Sequence, residues 1–294
     1  MTSSRVEIWL LAARPKTLPA AAAPVILGCG LAIGDGALAL IPSLATLLAA
    51  LLIQIGTNFA NDYYDFVKGT DTPARVGPTR ATQAGLVTPT AMKRATVLVF
   101  ALALIIGSYL VWRAGWPIMV IGLLSIAFGY LYTAGPYPLG YNGLGDLFVL
   151  IFFGPVAVAG TYYVNTLEWS GVSIAAGLMP GLFSVGILTI NNLRDFEDDR
   201  IAGKRTLAVR YGRSFARIEY LLCVGAPHVF ALILALSEQR WLALLSLGVL
   251  IPTVPIVRQV FSSTDGPMLN SMLATTGKLL IIHAAIFSVG WVLL

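Results

Sequence analysis

Charge is scarce in this chain. Of 294 residues, 11% are charged and 57% hydrophobic, which excludes an ordinary soluble domain of this length. Cysteine and histidine are scarcer still, two of each. Cys29 and Cys223 lie in apolar runs without metal-ligand spacing and read as small core residues. His228 and His283 have no neighbouring carboxylate in sequence and read as neutral, packed or water-facing side chains rather than ligands. The net charge of +5 calls for no nucleic acid, because the basic residues stand where anionic headgroups and anionic substrates would be.

What is present is a succession of apolar runs. A helix of about 20 residues crosses a hydrocarbon core of roughly 30 Å. Such segments fit near residues 17–34, 41–67, 90–112, 116–134, 144–164, 172–194, 215–236, 241–261 and 273–293. The expected fold is therefore all-α: one multi-pass transmembrane bundle of nine helices over residues 1–294, with halves near 1–134 and 135–294 as a possible repeat. With the N-terminus in the cytoplasm, 17 of the 19 Lys and Arg fall on the inner side, in cytoplasmic connections or the adjoining helix ends, leaving Arg113 and Arg240 outside. The positive-inside rule selects that orientation, with the C-terminus outside.

The acids are concentrated in two places. The second run ends in QIGTNFANDYYDFVKGTD (54–71), where Asn58, Asn61 and Asp65 follow three-then-four spacing and share one face of a continuing helix. A second stretch, 187–205, repeats the spacing with Asn192, Asp195 and Asp199. Each pair is offset by 134 positions, and Gly203 answers Gly69 at the same offset. Carboxylates at the end of a membrane-length segment are costly, so they mark a functional site at the cytoplasmic face.

Cations follow both motifs. Lys68, Arg75 and Arg80 lie in a Gly/Pro/Thr-rich loop of lid-like length, and Lys204 and Arg205 follow the second set. These groups suit phosphate oxygens. Arg14 and Lys16, beside Trp9 and Pro15, read either as headgroup anchors or as contacts to an anionic group in the site. The cation-free connection TAGPYPLGYNGLGD (133–146) offers Tyr137, Tyr141 and Asp146 beside Tyr132; Asp146 suits a helix start or a catalytic task equally.

Matched carboxylates flanked by cations at one membrane face suit a diphosphate held through magnesium, which takes one or two protein carboxylates and completes its octahedron with phosphate and water oxygens. If the other end of the ligand is an allylic isoprenoid, bond breaking leaves a carbocation-like centre that needs apolar and aromatic walls. Phe59, Tyr63, Tyr64, Phe66, Tyr130 and Tyr132 are available for these. A cation- or proton-coupled transporter is the reading from another class, but its sites belong near the midplane.

The chain resembles the UbiA superfamily of intramembrane aromatic prenyltransferases in NDYYD (61–65) and DFEDD (195–199). It resembles more closely the 1,4-dihydroxy-2-naphthoate prenyltransferases of menaquinone synthesis, in ARPKTLPAAAAPVILG (13–28), NDYYDFVKGTDTPARVGPTRATQAG (61–85), YTAGPYPLGYNGLGD (132–146) and NNLRDFEDDRIAGKRTLAVRYG (191–212). The resemblance implies a bacterial inner-membrane enzyme that transfers a prenyl chain from polyprenyl diphosphate to 1,4-dihydroxy-2-naphthoate, with loss of carbon dioxide and diphosphate. Phytyl transfer and 4-hydroxybenzoate are the alternative donor and acceptor. By resemblance Asn61, Asp65, Asp195 and Asp199 are linked to Mg2+, and Asp62 joins the last three as catalytic. The diphosphate contacts are then Asn58, Asn61, Asn192, Arg14, Lys16, Lys68, Arg75, Arg80, Lys204 and Arg205, with Tyr132, Tyr137 and Asp146 toward the acceptor and lipid around the whole. Two features depart from the wider superfamily: Gly69 stands where a third aspartate is common, and Pro136 where a Tyr-x-x-x-Lys motif starting at Tyr132 would place lysine.

Overall fold

The computed structural model describes residues 4–70 and 77–293. Among them every regular element is helical. A short helix α1 (Arg5–Ala13), opened by a Ser4–Glu7 capping box, ends at Arg14 in the left-handed region (φ 53) and turns through Pro15–Thr17 into α2 (Leu18–Gly34). Then come α3 (Leu40–Val67), α4 (Pro89–Ala114) and α5 (Trp116–Leu131). After a turn at Leu139–Tyr141 follow α6 (Gly145–Phe152), α7 (Pro155–Thr166) and α8 (Gly171–Arg194). Two short helices, α9 (Phe196–Ile201) and α10 (Leu207–Tyr211), lead to α11 (Arg213–Ser237). A 3-10 stretch (Trp241–Val249) runs into α12 (Leu250–Ser262), and α13 (Gly266–Val292) closes the chain.

Among the described residues, eight helical segments are long and apolar enough to cross a membrane. The fourth expected span is α5, whose 16 residues reach only about 24 Å at 1.5 Å per residue. The fifth is broken at Gly154, because Pro155 brings no amide hydrogen and disfavours helix in the residue before it. Gly177 of α8 fits that break so closely that a Cβ there would lie 2.6 Å from the Pro155 nitrogen. The last helix begins seven residues before the expected 273, since Asp265 caps the Met268 amide (2.8 Å) and Pro267 suits a first turn.

The main core joins α2, α7, α8, α11 and α13, with Phe183, Tyr220, Leu280 and Phe287 fully buried. His228 and His283 pack there against Phe183 as expected (centroids 5.9 and 5.4 Å). A separate cluster ties α1 to α3 and α4 through Ala12, Phe59 and Met92, and a third (Ala49, Leu110, Ile118, Val164) joins α3, α4, α5 and α7. Both cysteines are free, Cys223 buried and Cys29 half-buried.

The Gly177 contact is backbone against backbone, so neither helix can relieve it by a rotamer change. Gly177→Leu is expected to lower stability by roughly 1–3 kcal/mol, read as a drop in the thermal midpoint in detergent. Gly225→Leu, where a Cβ meets nothing within 4 Å, serves as the tolerated control.

Candidate active site

Asn58, Asn61 and Asp65 do share one stripe of α3, and all three line a cavity of about 610 Å3. Asn58 Nδ2 donates to the Ala13 carbonyl (2.9 Å) and to Thr17 Oγ1 (3.1 Å), and so holds the entry turn at Arg14, itself a lining residue. The Asn61 side-chain oxygen accepts from Thr133. Asp65 Oδ2 accepts from Arg80 (3.1 Å), and Oδ1 accepts from the Tyr141 hydroxyl and from Thr70 (3.2 Å). Asp62 is turned away from the cavity. Its two oxygens accept the backbone amides of Ala81 (3.0 Å) and Thr82 (2.9 Å), which fixes the loop that presents Arg80.

The second motif is built differently from its expected stripe. α8 ends at Arg194 and Asp195 is the junction (φ −90, ψ 13). The acids Glu197, Asp198 and Asp199 then occupy the first turn of a new helix, where the dipole favours them. Asp195 is held by its own neighbour, Arg194, through Nε (2.7 Å) and Nη2 (2.8 Å), in a pair almost fully excluded from solvent. Arg194 also donates to Asn191 (2.8 Å) and to Asn270 of α13 (3.2 Å).

Despite that difference the two motifs end in the same turn. Gly69 and Gly203 have positive φ (67 and 73), and each donates to the carbonyl three residues back. The next amide reaches five back, Thr70 to Asp65 O (3.0 Å) and Lys204 to Asp199 O (2.9 Å), a Schellman closure in both cases. Each turn folds its following residue onto its own carboxylate. Lys204 Nζ thereby lies 3.5 Å from Asp199 Oδ1 and 3.6 Å from Asp65 Oδ1. The two carboxylates are therefore no farther apart than those distances together, well inside the ~10–12 Å spanned by two magnesium ions and a bridging diphosphate.

Not every expected residue is brought here. Asn192, Arg14, Arg80, Asp195, Asp199, Lys204 and Tyr132 line the cavity; Lys16, Lys68, Arg205, Tyr137 and Asp146 do not. Lys68 Nζ donates to the Thr133 carbonyl (2.6 Å) instead. Partial burial lowers its pKa from the ordinary lysine value, with Asp65 pulling the other way and Lys204 adding to the drop. Lys16, Arg205 and Tyr137 are exposed, whereas Asp146 is buried at the start of α6. Arg75 lies outside the described residues. Of the aromatics expected around the reacting end, only Tyr132 lines the cavity; Phe128, Phe148 and Phe152 do so instead, with centroids 4.6–6.2 Å apart.

Sequence reasoning named Tyr141 among the tyrosines of the 133–146 connection but gave it no site role, and it missed Arg194. A tyrosine among Pro and Gly, and an arginine beside Asp195, were the available signals.

The donor set fits a hard divalent cation. Among the described residues no three acidic, His or Cys side chains enclose a metal ion by themselves, but magnesium needs only one or two carboxylates. A positive charge already stands between Asp65 and Asp199, that of Lys204. From Asp65 the cavity runs along α3 to Thr46, about 28 Å at 1.5 Å per residue, past Asn61, Asn58 and Gln54 and then between small and apolar residues.

The sequence profile of the UbiA prenyltransferase family matches residues 21–292. The chain is 37% identical over 300 residues to a 1,4-dihydroxy-2-naphthoate octaprenyltransferase of Escherichia coli (strain K12), covering 98% of this chain and 96% of that protein. It is 42% identical over 229 residues to an enzyme of the same name from Mycobacterium tuberculosis (strain ATCC 25618 / H37Rv), covering 77% and 78%. In fold it is similar to a UbiA homolog from Archaeoglobus fulgidus bound to GPP and Mg2+, with a TM-score of 0.67 and 17% identity over 96% of this chain and 99% of that one. An all-helical membrane bundle with two aspartate motifs at one cavity mouth, matched over nearly its whole length, is an integral membrane protein that belongs to the UbiA prenyltransferase family.

Proposed function

We propose that this chain is a 1,4-dihydroxy-2-naphthoate polyprenyltransferase. It transfers the prenyl group of a polyprenyl diphosphate to the naphthoate ring, with loss of the ring carboxylate as carbon dioxide, at the cytoplasmic face of a bacterial inner membrane that it crosses nine times. One observation carries the reading: Asp65 and Asp199, 134 residues apart, converge on one ammonium at the polar end of a cavity that extends about 28 Å along α3, from Asp65 to Thr46, and is mainly apolar below Asn58. Relatives matched over most of their length are named for that transfer. The end carrying most of the cations is the cytoplasmic one, by the positive-inside rule. A transporter fits less well, because the carboxylates sit at one end of the cavity and not at its middle.

Asp65, Asp195, Asp199 and Asn61 would hold magnesium, which when bound would supply positive charge to the diphosphate oxygens. The chain's own groups do the rest. Arg80 and Lys204 neutralise charge that collects on the diphosphate as the C–O bond breaks. Arg194 fixes the direction of Asp195, and Asp62 positions Arg80 through the loop amides. Phe128, Phe148 and Phe152 exclude water and present π faces to the electron-poor carbon. The acceptor ring attacks that carbon, and the prenyl tail lies along α3.

Purified protein given Mg2+, a polyprenyl diphosphate and either 1,4-dihydroxy-2-naphthoate or 4-hydroxybenzoate should prenylate only the naphthoate and release carbon dioxide. Product from the benzoate alone would overturn the acceptor assignment. Asp65→Asn and Asp199→Asn should each cut turnover by roughly 10²–10³ in protein that still elutes as folded, and near wild-type turnover in either would sink the site. Asp62→Ala should act indirectly, with faster hydrogen exchange at the Ala81 and Thr82 amides. Gly107 and Gly122 line the cavity, and a Cβ on either meets nothing within 4 Å. Gly122→Phe should therefore slow transfer of a long polyprenyl chain by roughly tenfold or more relative to geranyl, measured with the two donors in competition.

A further inference from the structure

Tyr141 has no role in the mechanism so far, yet it stands at the centre of the charged mouth. It lines the cavity, its hydroxyl donates to Asp65 Oδ1, and that hydroxyl lies 3.0 Å from Thr70 Oγ1. Two ammonium groups flank its ring, Lys204 at 4.6 Å and Lys68 at 5.0 Å from the centroid. The lysines come one from each motif, so Tyr141 joins the two halves of the site.

The backbone that carries the ring is held without help from Asp65. The Tyr141 carbonyl accepts the Arg205 amide (2.7 Å) and its own amide donates to Pro138 O (3.1 Å). Arg210 straps the following turn, donating to Asn142 O (2.7 Å) and to Arg205 O (3.0 Å). Gly143 makes the strap possible: its φ is +71, and a Cβ there would lie 2.8 Å from Arg205 O. A hydroxyl on a ring anchored through its backbone and flanked by two ammonium groups can change acceptor by turning about its C–O bond.

Two acceptors compete for it. One is Asp65; the other, under the prenyl-transfer reading on which this inference rests, is the diphosphate between the motifs. A group that draws on Asp65 Oδ1 weakens that oxygen as an acceptor, and the hydroxyl then turns to the nearest phosphate oxygen. We infer that Tyr141 is a catalytic hydrogen-bond donor to the leaving diphosphate, shared in turn with Asp65. The prenyl C–O bond breaks with both electrons going to the diphosphate oxygen; Tyr141 stabilises the resulting charge and keeps its proton.

The test is binding, measured by calorimetry in detergent. Tyr141→Phe removes one oxygen and leaves the ring for the two lysines. With saturating Mg2+, inorganic diphosphate should bind the variant about ten- to a hundredfold more weakly than wild type, the value of a hydrogen bond to a charged acceptor. With Mg2+ alone the sign should reverse, because a competing donor on Asp65 is gone: the variant should bind Mg2+ roughly two- to tenfold more tightly. A merely structural tyrosine would weaken both. Thr70→Val, which removes the hydroxyl that helps to aim Tyr141, should move both constants in the same directions by less, and it is the deciding variant should Tyr141→Phe misfold. Diphosphate binding equal to wild type in the folded variants, or parallel weakening of both ligands, overturns the role of Tyr141. A wild type that binds no diphosphate with Mg2+ overturns the prenyl-transfer reading and this inference together.

Discussion

A carboxylate at the end of a membrane-length helix cannot be left alone, and the mouth of this cavity is organised by that constraint. Asp65 and Asp199 are both buried, and without counter-charge two such carboxylates at one site would repel each other. The chain answers with its own cations, Lys204 between the two acids and Arg80 on Asp65. Truncating one partner of such a buried pair costs more than the pair contributes, typically about 3–5 kcal/mol, because a charge is left stranded. The polar end thus depends on residues delivered from loops, and the loops are shaped to deliver them.

The delivery device is a helix ending used twice. In the Schellman closure the residue after the left-handed glycine comes back over the last turn, so Thr70 lands on Asp65 and Lys204 on Asp199. This much could be read from sequence, because spacing is the cause: the 134-residue offset contains both the acids and the glycine that bends the chain after them. Asp195 could not be read the same way. Three-then-four spacing predicts one stripe, but a bidentate Arg194 and three consecutive acids favour a break and a fresh N-terminus there. The break leaves both acids at the cavity, so the right residues follow from a helix that does not run through them.

The cations were less legible, for a related reason. Composition places lysine and arginine mostly in connections and at helix ends, but their direction depends on which carbonyls and carboxylates lie within reach once the loops pack. Lys68 finds the Thr133 carbonyl, whereas Lys204 finds two acids. The aromatic wall shows the same limit. Residues 59–66 are near the motif in sequence, but α3 turns several of them toward α1, α4 and α5: Phe59 packs on Trp9 (5.5 Å) and Tyr64 on Tyr130 (5.3 Å). The cavity-facing Phe128, Phe148 and Phe152 come from α5 and α6, which lie far in sequence from both aspartate motifs.

The deep end of the cavity is governed by the opposite constraint. Among the described residues none that lines it is charged, and its floor is the cluster of Ala49, Leu110, Ile118 and Val164, so a charged ligand would gain no counter-charge by descending. An amphipathic ligand is oriented by this alone. Its anionic head gains charge-assisted bonds only at the mouth, while its tail gains about 25 cal/mol per Å2 of apolar surface removed from water only below it. The bond between head and tail then has to lie at the boundary, near Asn58, Asn61 and the Phe128 cluster. That boundary is where protein cations end and aromatic faces begin, so the charge on the departing head and the deficit on the carbon left behind meet different walls.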